Sequence, residues 1–145
     1  MIRYVVGFMF DPKKYGVLLI QKQKPDWQRG KLNGIGGKIE PGEKPLDAMA
    51  REFKEEVGIE HSDWKYVITM SGDGWSVDVF SAISNDVHNF KQKEKEVPLY
   101  IGIHELDDFN LISNLYWLIP MCLDNNDGKG AIDYTLSNQQ KGGNP

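Results

Sequence analysis

A chain of 145 residues is long enough for one domain with a hydrophobic core and too short for two comfortable ones. Its 40% hydrophobic and 26% charged content excludes a disordered or fibrous chain, and a net charge of −4 argues against duplex nucleic acid as the main partner. Cys122 is the single cysteine, which rules out an internal disulfide and a cysteine-built zinc cage, and no apolar run approaches the roughly 20 residues of a membrane span.

The opening residues MIRYVVGFMFDPKKYG lack the basic flank and small-residue cleavage site of an export signal, so a reducing, cytoplasmic setting is expected. Residues 2–10 (IRYVVGFMF) are β-branched and aromatic, and residues 15–22 (YGVLLIQK) form a second apolar run. The DPKK between them is turn chemistry, so two strands with a tight connection are predicted. Residues 23–34 (QKPDWQRGKLNG) read as a loop that runs into a glycine-rich turn, GIGGKIEPGE. Pro45 suits the first turn of a helix, where its missing N–H costs nothing. From there Leu46, Met49, Ala50, Phe53 and Val57 recur with helical spacing, and Gly58 fits a C-terminal glycine cap.

Further on, residues 63–70 (DWKYVITM) and 74–83 (GWSVDVFSAI) flank Ser71-Gly72-Asp73-Gly74, the pattern of a hairpin. Residues 91–96 (KQKEKE) are a charged loop before a strand at VPLYIGI. Residues 113–124 (SNLYWLIPMCLD) predict a second helix, capped by Ser113 or Asn114, with Pro120 as an awkward interior residue. A domain over 1–124 is thus followed by a polar tail, 125–145, expected to be loosely held. The whole reads as a mixed sheet with helices packed on it, α/β or α+β in class.

The first helix carries the chemistry. Glu52, Glu55 and Glu56 stand three and four apart, on one face, away from the apolar stripe. Stacked like charges destabilise an isolated helix by a few tenths of a kcal/mol per pair, on the order of 0.2–0.5. A hard divalent cation offsets that repulsion, and all-oxygen ligation suits Mg²⁺ or Mn²⁺. A solvated acidic face is the competing reading of the helix alone.

The register around the helix decides between them. Gly37, Glu43, Arg51-Glu52, an apolar Phe53, Glu55-Glu56, Gly58 and an apolar Ile59 together resemble the full signature of the Nudix hydrolase family. Phe53 departs slightly, since aliphatic residues are commoner there, although burial is all the position demands. The resemblance implies an α/β/α sandwich with a mixed sheet between helices. It implies metal ligation by Glu52, Glu55 and Glu56 with the backbone carbonyl of Gly36, and an Arg51–Glu43 ion pair that holds the loop to the helix. It also implies Mg²⁺-dependent cleavage of a phosphoanhydride, with Mn²⁺ an alternative. Glu52 is the first candidate for general base by that analogy, and Glu94 or Glu96 in the later charged loop the second, either also serving as a metal ligand.

Beyond the signature, WQRGKLNGIGGKIEPGE is similar to mutator-type members that hydrolyse nucleoside triphosphates, among them oxidised purines such as 8-oxo-dGTP, to monophosphate and pyrophosphate. That resemblance implies Trp27 over the base, Asn33 on its edge, Asn114 as a second polar contact, and Gly37 and Lys38 on the substrate side of the glycine stretch. An Asn amide can donate and accept at once, which suits a purine edge. ADP-ribose, a nucleotide sugar, a dinucleoside polyphosphate or a capped RNA end are alternative substrates. A non-catalytic nucleotide-sensing module is the alternative of another class, although every signature carboxylate is present. The small-molecule nucleotide is the expected partner, with no membrane and no duplex nucleic acid.

Overall fold

The computed structural model describes residues 1–124 together with the backbone of 130–133. Strands β1 (Ile2–Phe10), β2 (Gly16–Gln21), β3 (Leu32–Asn33) and β4 (Ile35–Lys38) precede helix α1 (Pro45–Val57). Strands β5 (Lys65–Gly72), β6 (Trp75–Ile83) and β7 (Val97–Gly102), helix α2 (Leu115–Leu123) and strand β8 (Gly130–Asp133) follow. Short 3-10 turns lie at Asp26–Gln28, Asn85–His88 and Ile103–Asp108.

All the strands join one mixed sheet, in which β1 and β2 are the branching elements, β2 pairing with β3 as well as with β1 and β7. One edge of β1 runs parallel to β6 along its whole length. The other edge is shared: Tyr4 to Gly7 pair antiparallel with β4, while Met9 and Phe10 pair with β2. β2 continues outward to β7, and on the far side β6 forms an antiparallel hairpin with β5. Within the expected tail, Gly130–Asp133 adds to β5 in parallel, and residues 125–129 and 134–145 lie outside the described residues.

Alternation along β1 builds two cores. Val6, Phe8 and Phe10 pack with Leu115, Leu118, Ile119 and Cys122 of α2, whereas Val5 and Met9 pack with Met49, Phe53 and Val57 of α1. The sheet therefore lies between two helical layers, the sandwich that the resemblance implies. Burying Met49, Phe53 and Val57 contributes about 1.5–3 kcal/mol each, which fixes the acidic face of α1 outward. Gly58 closes α1 in the left-handed conformation at φ 75°, as its position predicts.

Two expectations are corrected. The glycine-rich stretch is a turn only at its end: Gly36 and Gly37 sit in β4, paired with Val6 and Val5, and the chain turns at Pro41 and Gly42, the latter at φ 80°. Leu46, in the first turn of α1, is exposed, and the buried face of the helix is Ala48, Met49, Phe53 and Val57. No helix among the described residues is long and apolar enough to cross a membrane.

Candidate active site

The site forms where α1 crosses β4. Arg51 is its hub and uses all five guanidinium donors. Nε and Nη2 grip both oxygens of Glu43, at 2.8 and 2.9 Å, and Nη2 also donates to the Lys38 carbonyl at 3.0 Å. Nη1 donates to Glu52 at 2.9 Å and to Glu55 at 3.3 Å. The planar fork matches a carboxylate in a way that a lysine ammonium cannot. Glu43 accepts in addition from the Glu40 N–H at 3.0 Å, and its carboxyl is held down to about 2, chiefly by the Arg51 hydrogen bonds.

Glu52 is half-buried and lies against Gly37, where there is no side chain to meet it. A Cβ on Gly37 would stand 2.4 Å from the Glu52 carboxyl carbon. Burial pushes the Glu52 carboxyl up, against the pull of Arg51. Glu56, one turn on, is pushed up to about 7, first by burial and then by Glu96, with Lys22 opposing. Its Oε2 is buried without a hydrogen-bond partner. An orphaned carboxylate oxygen inside an acidic cluster is costly on its own and is well suited to ligate a cation.

Glu96 lies close enough to raise Glu56, and it is also tied down. Lys22 Nζ donates to Oε1 at 3.0 Å, and the Gln23 and Lys24 N–H groups point at Oε2 at 2.7 and 3.5 Å. Burial works to raise its carboxyl, but these donors outweigh it and the net direction is downward. Glu94 is exposed, as is the Lys38 side chain. As placed, no three acidic, histidine or cysteine side chains among the described residues converge closely enough to hold a metal ion. The reason is visible in the pairs: Arg51 occupies Glu52 and Glu55, and Lys22 occupies Glu96. The donor set of oxygens, the orphaned Glu56 atom and the Gly37 cradle nonetheless fit a hard divalent cation.

The proposed base contacts lie to one side. A parallel bridge between Leu32 and Leu111, with Ile112 N–H donating to the Leu32 carbonyl at 2.9 Å, aligns the segment before α2 with β3. Asn33 and Asn114 thereby follow the same strand pair at the same end. Asn33 Oδ1 accepts from the Gly34 N–H at 2.7 Å, and its Nδ2 donates to Gln28 Oε1 at 3.2 Å. Asn114 precedes α2 without capping it by its side chain. Its amide turns toward the Met70 sulfur and leaves Oδ1 buried and unpartnered. Trp27 is 64% exposed on its 3-10 turn. Sequence reasoning missed Lys22 and Gln28, since neither lies at a spacing that marks it.

A family model described as NUDIX domain matches residues 1–111. A CTP pyrophosphohydrolase of Escherichia coli (strain K12) is 41% identical over 51 residues, 35% of this chain, and the match spans only 38% of that relative's length. Among solved structures, a MutT from a study of Aliivibrio salmonicida and Vibrio cholerae superposes with a TM-score of 0.71 at 22% identity, covering 85% of this chain and 98% of that one. The NUDIX domain of Shewanella oneidensis NrtR, complexed with ADP ribose, superposes with a TM-score of 0.69 at 13% identity, covering 86% of this chain and 88% of that one. At these identities the structural likenesses establish the fold.

Proposed function

The chain belongs to the Nudix hydrolase family, and from that premise we propose that it hydrolyses a phosphoanhydride bond of a nucleoside triphosphate, releasing monophosphate and pyrophosphate. The observation that carries this reading is Glu56: a half-buried carboxylate whose Oε2 is buried without a hydrogen-bond partner, on the helix face it shares with Glu52. Glu52, Glu55 and Glu56, with the Gly36 carbonyl, would hold Mg²⁺ or Mn²⁺. Such a cation supplies neutralisation of phosphate charge and stabilises the charge that builds on the leaving oxygen.

The rest is work for the chain. Glu43 and Arg51 lock the turn after β4 onto α1, so that Glu52 keeps its place over Gly37. Glu52, its carboxyl raised by burial, is suited to take the proton of an attacking water. Glu96 clamps the Lys22–Lys24 segment beside the cluster, and its closeness to Glu56 also suits it to join the ligands once Lys22 lets go. Asn33 and Asn114 would read the base, Trp27 would cover it, and Lys38 would face the phosphates.

The base is the finer question. Oxidised purines such as 8-oxo-dGTP fit the mutator-type pattern, whereas the bacterial relative named above acts on CTP. The test is a panel of nucleoside triphosphates, 8-oxo-dGTP, ADP-ribose, a dinucleoside polyphosphate and capped RNA with Mg²⁺ or Mn²⁺, products separated by chromatography. Monophosphate and pyrophosphate from a triphosphate are expected. No turnover of any triphosphate with either metal overturns the proposal, and turnover of ADP-ribose alone replaces its substrate.

A further inference from the structure

We propose that Gln28 is a positioning residue for base selectivity, acting through Asn33. This rests on the reading of Asn33 as a base contact.

The hydrogen-bond order around Asn33 is fixed from one end. The Gly34 N–H can only donate, so the atom facing it at 2.7 Å is the Asn33 carbonyl oxygen. Nδ2 is then on the other side of the amide, where it donates to Gln28 at 3.2 Å. Because Nδ2 can only donate, Gln28 must present its Oε1. The chain of assignments runs from a backbone N–H through two side-chain amides with no alternative at either step. What remains for a ligand is one Nδ2 hydrogen and one Oδ1 lone pair, in a set order, with the Gln28 Nε2 hydrogens beyond them. Asn33 thus offers an adjacent donor and acceptor in a fixed sense, which suits a base edge carrying the complementary pair.

Gln28 is itself held firmly. Its N–H donates to the Pro25 carbonyl at 2.9 Å, and its carbonyl accepts from Lys31 at 2.9 Å. The loop that carries it closes on Lys22, whose N–H donates to the Lys31 carbonyl and whose carbonyl accepts from Gly30. Trp27, on the same 3-10 turn, points into solvent, so Gln28 is the side chain this turn delivers to Asn33. A preorganised amide discriminates between bases better than one free to rotate, because the ligand no longer supplies the ordering.

The experiment compares kcat and KM for the nucleoside triphosphate panel in wild type, Gln28→Ala, Gln28→Glu and Asn33→Ala. One hydrogen bond of this kind corresponds to about threefold to tenfold. Gln28→Ala is expected to reduce the preferred-to-disfavoured ratio of kcat/KM by that factor, through KM, with kcat unchanged. Gln28→Glu keeps an acceptor for Nδ2 and is expected to retain the ratio. The Asn33 side-chain amide protons should lose their hydrogen-bonded downfield shift in Gln28→Ala and keep or deepen it in Gln28→Glu, where a carboxylate takes over as acceptor. If Gln28→Ala keeps the ratio while Asn33→Ala loses it, Asn33 reads the base and the role of Gln28 is refuted. If Asn33→Ala keeps the ratio, base contact by Asn33 fails and the role of Gln28 falls with it, while nucleotide hydrolysis stands.

Discussion

Glu52 rests on Gly37, and the contact leaves no room for a side chain: a Cβ there would come within 2.5 Å of both carboxylate oxygens. Next to it, a Cβ on Gly36 would stand 1.9 Å from the Val5 carbonyl oxygen, which is backbone and cannot step aside. The two glycines are therefore needed for different reasons. Gly36→Ala is expected to disrupt the β1–β4 pairing and lower the melting temperature sharply. Gly37→Ala is expected to fold, push Glu52 out of place and reduce turnover by about 10²-fold, the usual effect of a misplacement near 1 Å. Thermal melts and turnover of the two variants check this. A well-folded Gly37→Ala with wild-type turnover means that the position of Glu52 does not matter.

The grip of Arg51 on Glu43 makes a prediction in acid. In the folded protein the Glu43 carboxyl is held to about 2, below its ordinary value of 4.5. A depressed carboxyl contributes stability that is fully present above its unfolded value and is lost as pH falls toward the folded one. Glu43→Gln should thus be less stable than wild type at pH 6, with the difference shrinking between about pH 4.5 and 2. Melting temperatures of both proteins across that range measure it. A difference that stays constant with pH assigns the loss to packing and not to the ion pair.

These two cases also show what the sequence reveals. The helix, its glycine cap and the acidic register are legible because they repeat at 3.6 residues and lie close in the chain. The glycine stretch misleads because glycine has little strand propensity. What makes it a strand is its pairing with β1, some thirty residues earlier, and that pairing is invisible to local pattern. Glu96 is likewise readable as a charged loop residue, whereas its clamp on the Lys22–Lys24 segment joins positions more than seventy apart. Gln28 gives no signal at all, since its role depends on which way a neighbouring amide faces.

Away from the site, Tyr100 donates to Asp11 at 2.8 Å, and Asp11 is buried with the Gly16 N–H at 2.7 Å as another donor. Burial works to raise the Asp11 carboxyl, but Gly16, Tyr100 and the neighbouring N–H groups together bring it down. Tyr100→Phe withdraws one donor from a buried charge and should cost about 1.5–3 kcal/mol, read from chemical denaturation. Turnover should survive in the folded fraction, because Asp11 closes the β1–β2 connection and is no part of the acidic cluster. A cost near zero means that water replaces the phenol.

Glu56 joins stability, pH and metal in one measurement. Its folded-state value of about 7 lies above the ordinary 4.5, so between those values the folded protein holds a proton that the unfolded chain has released. Without metal, stability should fall as pH rises through that window. Glu56→Gln mimics the protonated form and should remove this dependence, making the variant more stable than wild type at pH 8 and about equal to it at pH 5. With Mg²⁺ or Mn²⁺ the order reverses: the cation binds the ionised carboxylate, so wild type gains melting temperature at pH 8 and the variant does not. Turnover should be abolished in the variant under all these conditions. Melts at the two pH values, with and without metal, separate the contributions. Equal metal-induced stabilisation in both proteins removes Glu56 from the ligand set, whatever the activity does.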